Sequence, residues 1–435
     1  MARRVRPDLH HLLNDPPIYS VPNELLAEIF LEFLVPGMIF GSTREPFNIM
    51  HTSRRFRSVI LGSSVQWSSL HMERYHYYPQ CNHLEGRCAS HKFDWDEILR
   101  HYLIYSRNLP LDLQLDFTYL STYSLRLVLS QRERWQKIVF ININDRMSGV
   151  GGSDFDLSRS GELKELSLPC NNTMVTNILR TIRPHKLTNL CFYINADSFT
   201  SVRNRILAVL RDSPNLVQLS LDLAYETEFP GEDDEEIYDD VPERIALNRL
   251  ERLKLCHVFC HSLLGCLKAP ALQRTYLAVW MLEDVAMLER FFIASKPPLL
   301  DFKLNLIDYG DLEWDMDIIA QFQGIFAELS LLESMTIFSE STLVNNIRFW
   351  GLLTVRGGNI LVPKLHTFSL QLSEDHPDNE YDRGYVVDFA ESRWNHMPNF
   401  KICLDYESFL GWFEERFGEG SVDAFSASGK VRNHF

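Results

Sequence analysis

The residues with the widest chemical repertoire in this chain are histidines and cysteines, and they fall in two groups. Imidazole and thiolate are the usual zinc ligands, and four that converge can hold the metal. His76, Cys81, His83, Cys88 and His91 form the first group. Their spacing matches no common zinc pattern, paired Cys-x-x-Cys knuckles are missing, and Tyr75, Tyr77 and Tyr78 stand beside them. A plain surface linker over residues 72–95 is the expectation. The second group, Cys256, His257, Cys260, His261 and Cys266, lies on a strand-like run and the turn after it, where small thiols pack well in a core. Gly149, Gly151 and Gly152 match neither a dinucleotide fingerprint nor a phosphate loop, and no Lys follows them. HExxH and GxSxG are also absent. No nucleophile, base or metal constellation stands out, so the expectation is a non-enzyme with no cofactor and no metal.

Composition narrows the classes further. In a chain of 435 residues, 45% hydrophobic and 12% aromatic content suffices for large cores, and length alone suggests several domains or one elongated repeat array. The formal charge of −15 comes from 58 acids against 43 bases, and its source is local. Twelve Asp or Glu and no Lys or Arg lie between Asp212 and Glu243, which leaves 46 acids against 43 bases elsewhere. A phosphate-binding nucleic-acid surface is not expected of such a balance. Eight cysteines are too sparse for a disulfide scaffold. Residues 1–13 have no apolar core of a secretion signal, and Leu25 to Leu34 is broken by Glu28 and Glu32, so no membrane span is expected. The expected compartment is the cytoplasm, the nucleus or both.

A repeat organises most of the chain. The pattern Leu-x-x-Leu-x-Leu recurs closely at Leu163/Leu166/Leu168, Leu187/Leu190/Phe192, Leu216/Leu219/Leu221 and Leu250/Leu253/Leu255. Looser copies stand at Trp135/Ile138/Phe140, Leu272/Thr275/Leu277, Leu299/Phe302/Leu304, Leu332/Met335/Ile337 and Leu365/Phe368/Leu370. Their spacings, 22 to 34 residues, bracket a leucine-rich repeat with insertions. Helical stripes fill the intervals, as in Val202, Ile206, Val209 and Leu210. Such a unit cannot bury its apolar face alone, so a curved solenoid with parallel strands inside and helices outside is predicted over 96–384, with an acidic insertion at 226–243. An ordinary α/β domain uses similar patterns. A helical cap over 385–425, carrying Trp394, Phe409, Trp412 and Phe417, and a flexible tail at 426–435 complete the expected order.

On such strands the residues between the apolar ones point away from the helices. In the middle repeats these are Arg252 and Lys254, Arg274 and Tyr276, then Asp301 and Lys303, a candidate target-binding face. The acidic insertion, with Glu232-Asp233-Asp234-Glu235-Glu236, could fold across this patch or stay a solvated loop.

The N-terminal segment has helical grammar. Pro22 and Asn23 suit a helix start, Glu24 favours the positive end of its dipole, and Leu25, Leu26, Ile29, Phe30 and Phe33 form one broad apolar stripe. Pro36-Gly37 stops it. A second stretch carries Phe56, Val59 and Ile60, and Trp67 and Leu70 follow a Gly-Ser-Ser break. The three blocks Val21 to Phe30, Ser53 to Val59 and Trp67 to Leu70 resemble, in order and spacing, the F-box of the expanded families of mushroom-forming fungi. The family usually has Cys at Ser53, Trp at Phe56 and a Pro where this chain has Ser64-Val65-Gln66.

The resemblance covers residues 18–71. It implies a three-helix module, built on Pro22, Leu25, Leu26, Ile29, Phe30, Phe56, Val59 and Trp67, that binds the adaptor of a cullin-type (SCF) ubiquitin ligase and, through it, the cullin. The expected fold is therefore α/β: a small F-box followed by an irregular leucine-rich-repeat solenoid. The expected role is that of a substrate receptor for an unknown protein target, with a ligase-independent repeat scaffold as the alternative. Neither nucleic acid nor membrane is an expected partner.

Overall fold

A computed structural model describes residues 18, 20–33, 45–72, 94–117, 119–141, 155–170, 172–194, 199–223, 244–256, 263–279, 282–306, 316–339, 346–355, 360–372, 384–404, 414, 416–418 and 431–433. The chain divides into two units, Met1–Leu163 and Lys164–Phe435. The histidine-cysteine group at 76–91, the glycines at 149–152, the acidic insertion, Phe409 and Trp412 lie outside the described residues.

The first unit starts with helices α1 (Asn23–Phe33), α2 (Glu45–Thr52) and α3 (Arg54–Gly62). The first helical hydrogen bond of α1 runs from Leu26 N to the Pro22 carbonyl at 2.9 Å. The Asn23 side chain, expected to cap α1, instead accepts from Arg55 Nε at 2.9 Å, because the α3 guanidinium reaches back to it and to the Val21 carbonyl. Ser53 caps α3 by accepting from Phe56 N at 3.1 Å, which closes one of the orphan donors of the first turn.

A 3₁₀ turn, Ser64–Trp67, then leads into strand β1 (Ser69–His71). Helix α4 (Trp95–Tyr105), strand β2 (Leu111–Asp116), helix α5 (Thr122–Ser130) and strand β3 (Trp135–Ile141) follow. The three strands pair in parallel, in chain order. The strand series thus starts earlier than the Trp135 copy of the sequence pattern. Asp96 of α4 fastens α5 by accepting from Ser121 N at 3.0 Å and from Ser124 Oγ at 2.6 Å.

The second unit repeats one theme. Strands β4 (Glu165–Cys170), β5 (Asn189–Ile194) and β6 (Gln218–Leu223) alternate with helices α6 (Asn172–Thr181) and α7 (Phe199–Arg211). Strands β7 (Ile245–Ala246), β8 (Arg252–Leu255), β9 (Leu267–Lys268) and β10 (Arg274–Val279) follow, with β7 and β9 paired as a separate small sheet. Then come α8 (Leu282–Ser295), β11 (Asp301–Leu306), α9 (Met316–Glu328), β12 (Ser334–Ser339), α10 (Ile347–Leu353), β13 (Thr367–Leu372), α11 (Gly384–His396), β14 (Lys401–Leu404) and β15 (Val431–Asn433). β7 and β9 apart, every strand of this unit pairs in parallel with the next in chain order. The helical cap expected over 385–425 starts with a helix, α11, but β14 and β15 continue the ladder beyond it, β15 within the tail expected to be flexible, because the parallel edge left by β13 pairs onward.

This arrangement explains the leucine pattern physically. Just before the strands a backbone turn closes three residues back: Leu216 N to Ser213 O at 3.2 Å, Leu250 N to Leu247 O at 3.1 Å, Leu272 N to Ala269 O at 3.3 Å, Leu332 N to Leu329 O at 3.1 Å. In these copies the turn drives the first leucine into the core, and strand alternation then buries the next two apolar positions. In register, Leu253, Thr275, Phe302, Met335 and Phe368 make one buried row, and Leu255, Leu277, Leu304, Ile337 and Leu370 the next. Thr275 is tolerated in the first row because its hydroxyl donates to the Leu253 carbonyl at 3.1 Å. Aromatic rings from the helices fill the space above these rows: Phe292 meets Phe302 at 5.7 Å, Trp350 meets Phe368 at 5.7 Å, and Phe389 bridges Phe368 and Phe400.

Arg393, fully buried in α11, donates to the carbonyls of Leu353, Val362 and Leu361 at 2.8–3.1 Å. It so satisfies the loose backbone after α10, while burial lowers its pKa to about 10.

Candidate functional site

Two surfaces carry the residues singled out by the sequence. On α1 the helical step separates neighbours sharply. Leu26 and Phe30 are buried at 0% and 5% exposure, whereas Leu25 and Ile29, one residue behind each, stand 49% and 38% exposed. The buried pair faces α3. Phe30 meets Phe56 edge-to-face at 5.1 Å, and Val59 and Ile60 close the same core. Trp67 is fully buried, donates from Nε1 to the Ile60 carbonyl at 2.9 Å, and packs edge-to-face against Phe47 and Tyr102 and at a tilt against Tyr105.

Gln66 ties the 3₁₀ turn to α1 by donating from Nε2 to the Ala27 carbonyl at 3.0 Å. The same turn presents Val65, half exposed, to solvent. Of the eight residues assigned to the module, Leu26, Phe30, Val59 and Trp67 therefore build it and half-buried Phe56 supports it. Pro22, Leu25 and Ile29 are exposed. Leu25 and Ile29, four apart on one helix, form an apolar pair that a stable helix does not need to expose.

The second surface is the strand face of the second unit opposite the buried rows. Register places Arg252, Arg274 and Asp301 side by side on β8, β10 and β11, and Lys254, Tyr276 and Lys303 in the adjacent row. The six candidate residues are thus brought together in a two-by-three array. Arg252, Arg274 and Lys303 are exposed, and among the described residues no ion pair holds them. Lys254 is different. Its Nζ meets Asp222 Oδ2 of β6 at 2.6 Å and lies 5.4 Å from the centre of the Tyr276 ring. Burial pulls the Lys254 ammonium toward deprotonation, and the hydrogen bond and charge of Asp222 outweigh it, so the pKa ends above that of free lysine.

Close by, burial first and then the Asp222 charge push the Cys256 thiol up to about 12, so this cysteine is an inert core thiol at neutral pH. The charge of Cys191 and burial raise the Tyr193 hydroxyl likewise. Tyr276 also meets Phe338 of β12 edge-to-face at 6.2 Å, which adds an aromatic floor to the array.

Asp222 and Phe338 escaped the sequence reading. Their signal was present: each stands two positions beyond an outward residue, Ser220 and Thr336, where strand alternation brings the next side chain to the same face.

In the first unit a serine, a histidine and an aspartate also meet. His71 Nε2 lies 3.0 Å from Asp112 Oδ1 and 3.4 Å from Ser69 Oγ. A nucleophilic triad needs the serine and the aspartate on opposite nitrogens of the ring, so that one orients it while the other gives up a proton. Here both oxygens approach the same nitrogen. Among the described residues no three His, Cys, Asp or Glu side chains are placed to hold a metal ion, and no helix is long and apolar enough to cross a membrane.

No family model matches the sequence, and no curated protein matches it either.

Proposed function

We propose that this chain is the substrate-recognition subunit of a cullin-type ubiquitin ligase. Its N-terminal helices form an F-box that docks the ligase adaptor, and the strand face of its leucine-rich-repeat solenoid holds a protein target. The observation that carries this reading is the split on α1: Leu26 and Phe30 are spent on the core, while Leu25 and Ile29 keep apolar surface in water. With Val65 from the following turn, they provide the kind of apolar anchors that a helical partner covers. The chain's part in catalysis would be proximity, by bringing a target to the assembled ligase.

The test is capture of a fungal ligase adaptor by the full chain and by Leu25→Ala/Ile29→Ala, with circular dichroism and urea denaturation showing that both fold. Capture by the parent and at least a tenfold loss in the folded variant is the expected result. Equal capture by both, or none by the parent, would sink the docking assignment.

A second reading has its own observation. Trp67 packs against Tyr102 and Tyr105 of α4, and the chain runs from it directly into β1. The N-terminal helices therefore also serve as the lid that the first strand of a repeat array needs. A repeat scaffold that works without ligase assembly would use them for that alone, and would show a folded chain that captures no adaptor.

A further inference from the structure

We propose that the array on β8, β10 and β11 binds an extended acidic peptide segment through its carboxylates. The proposal rests on the reading of the strand face as the target-binding surface and names the chemistry of what it takes. Its first support is an arrangement of like charges that is unfavourable by itself. Arg252 and Arg274 occupy directly paired positions on neighbouring parallel strands, about 4.8 Å apart at the backbone, where like charges repel. Neither has an ion-pair partner among the described residues. An anion lying between them removes that repulsion.

The second support is the balance of the site. Four cations, Arg252, Lys254, Arg274 and Lys303, face two carboxylates, Asp222 and Asp301. Asp222 already engages Lys254 at 2.6 Å, and Asp301 is in register beside Arg274. The remaining positive excess is modest and spread over two rows, which suits several single charges along a chain better than one dense dianion. Alternate residues of an extended segment are about 6.6 Å apart, the same step that separates the Arg274 row from the Lys303 row. A segment with acidic residues at alternate positions can therefore place one carboxylate on the arginines and the next toward Lys303, with bidentate guanidinium contacts available to the first. Tyr276 and Phe338 lie beside this path and give the aliphatic stems of those acidic side chains an aromatic surface.

The probe is a fluorescein-labelled peptide of repeating Thr-Glu, compared by anisotropy with repeating Thr-Gln and Thr-phosphoserine peptides on the full chain. Saturable binding of the Thr-Glu peptide is expected, about tenfold weaker for the Thr-Gln peptide and weaker again as salt rises. Arg252→Gln/Arg274→Gln, whose side chains are exposed and whose removal leaves the core rows intact, should cost at least tenfold. Lys254→Met should cost less, because Asp222 already occupies that ammonium. Equal affinity for the Thr-Glu and Thr-Gln peptides, or an unchanged affinity in the double variant, overturns the proposal. Binding confined to the phosphoserine peptide overturns it too, since the ligand would then be a phosphorylated segment. Adaptor capture measured on the same protein keeps the two readings apart: loss of capture in Leu25→Ala/Ile29→Ala with peptide binding intact leaves both standing. Peptide binding by a chain that captures no adaptor removes only the ligase assignment.

Discussion

The α1 stripe and the strand face of the second unit are both exposed surfaces lying one residue away from a core, yet they were left exposed for different reasons. On a strand, successive side chains point to opposite faces, so burying Leu253 and Leu255 forces Arg252 and Lys254 outward whatever their identity. Exposure there is imposed by geometry, and only the choice of residue type is informative. On α1 the step between neighbours is about a quarter turn, and a broader apolar stripe could have been covered or made polar. Leaving Leu25 and Ile29 in water is itself the informative feature. Charge on the strand face and apolarity on the helix are thus the two signals, and each would be unremarkable in the other's place.

The comparison breaks first at Trp67. Trp67→Ala removes a fully buried ring that holds α3 to α4, and should cost about 3–5 kcal/mol in urea denaturation. A cost below 1 kcal/mol would mean that the helices are not one packed unit. Leu25→Ala/Ile29→Ala removes half-exposed side chains and should cost only about 1–2 kcal/mol for the pair. A loss as large as that of Trp67→Ala would show that these residues serve the core instead of a partner.

Alkaline pH probes the strand side. The folded-state pKa of Cys256 is raised to about 12, above the value of about 9 for an exposed thiol, so the folded chain keeps a proton that the unfolded chain releases. The stabilisation this gives is complete below pH 9 and is lost as pH climbs toward 12, amounting to about 1 kcal/mol by pH 10. Cys256→Ala should flatten the stability profile between pH 8 and 10 relative to the parent, and parallel profiles would place the thiol in a wetter site. Smallest is Thr275→Val, which trades a single hydrogen bond to the Leu253 carbonyl for a methyl group in an apolar row. It should change stability by about 1 kcal/mol or less in either direction.

Much of this organisation was legible in the order of residues. The spacing of Leu216, Leu219 and Leu221 and of the later copies marks the strands, because an apolar period of two can be buried only on one face of a sheet. β1 and β2 were harder to see. Leu111, Leu113 and Leu115 alternate cleanly, but Pro110 stands where other copies have the first leucine, so the template passes over them. The small sheet of β7 and β9 was invisible for another reason: two residues per strand carry no period at all, and the pairing exists because Ile245 N finds the Cys266 carbonyl at 2.8 Å.

The six residues of the strand face were read correctly as neighbours, since parallel register follows from equal placement of the leucines. Their electrostatics were not. Asp222 of β6 holds Lys254, a contact between residues 32 apart in the chain that no local pattern encodes.

By itself, then, the sequence determined the longer periodic helices and strands, which of their positions are apolar and which face of those strands the charges share, because all of these are local consequences of side-chain period. The tertiary structure alone decided which cations are already held and which face solvent. It also decided which half of the α1 stripe is core and which half is surface. Both depend on what a distant element places within a few ångströms, and burial and ion pairing are properties of that neighbourhood and not of the residue.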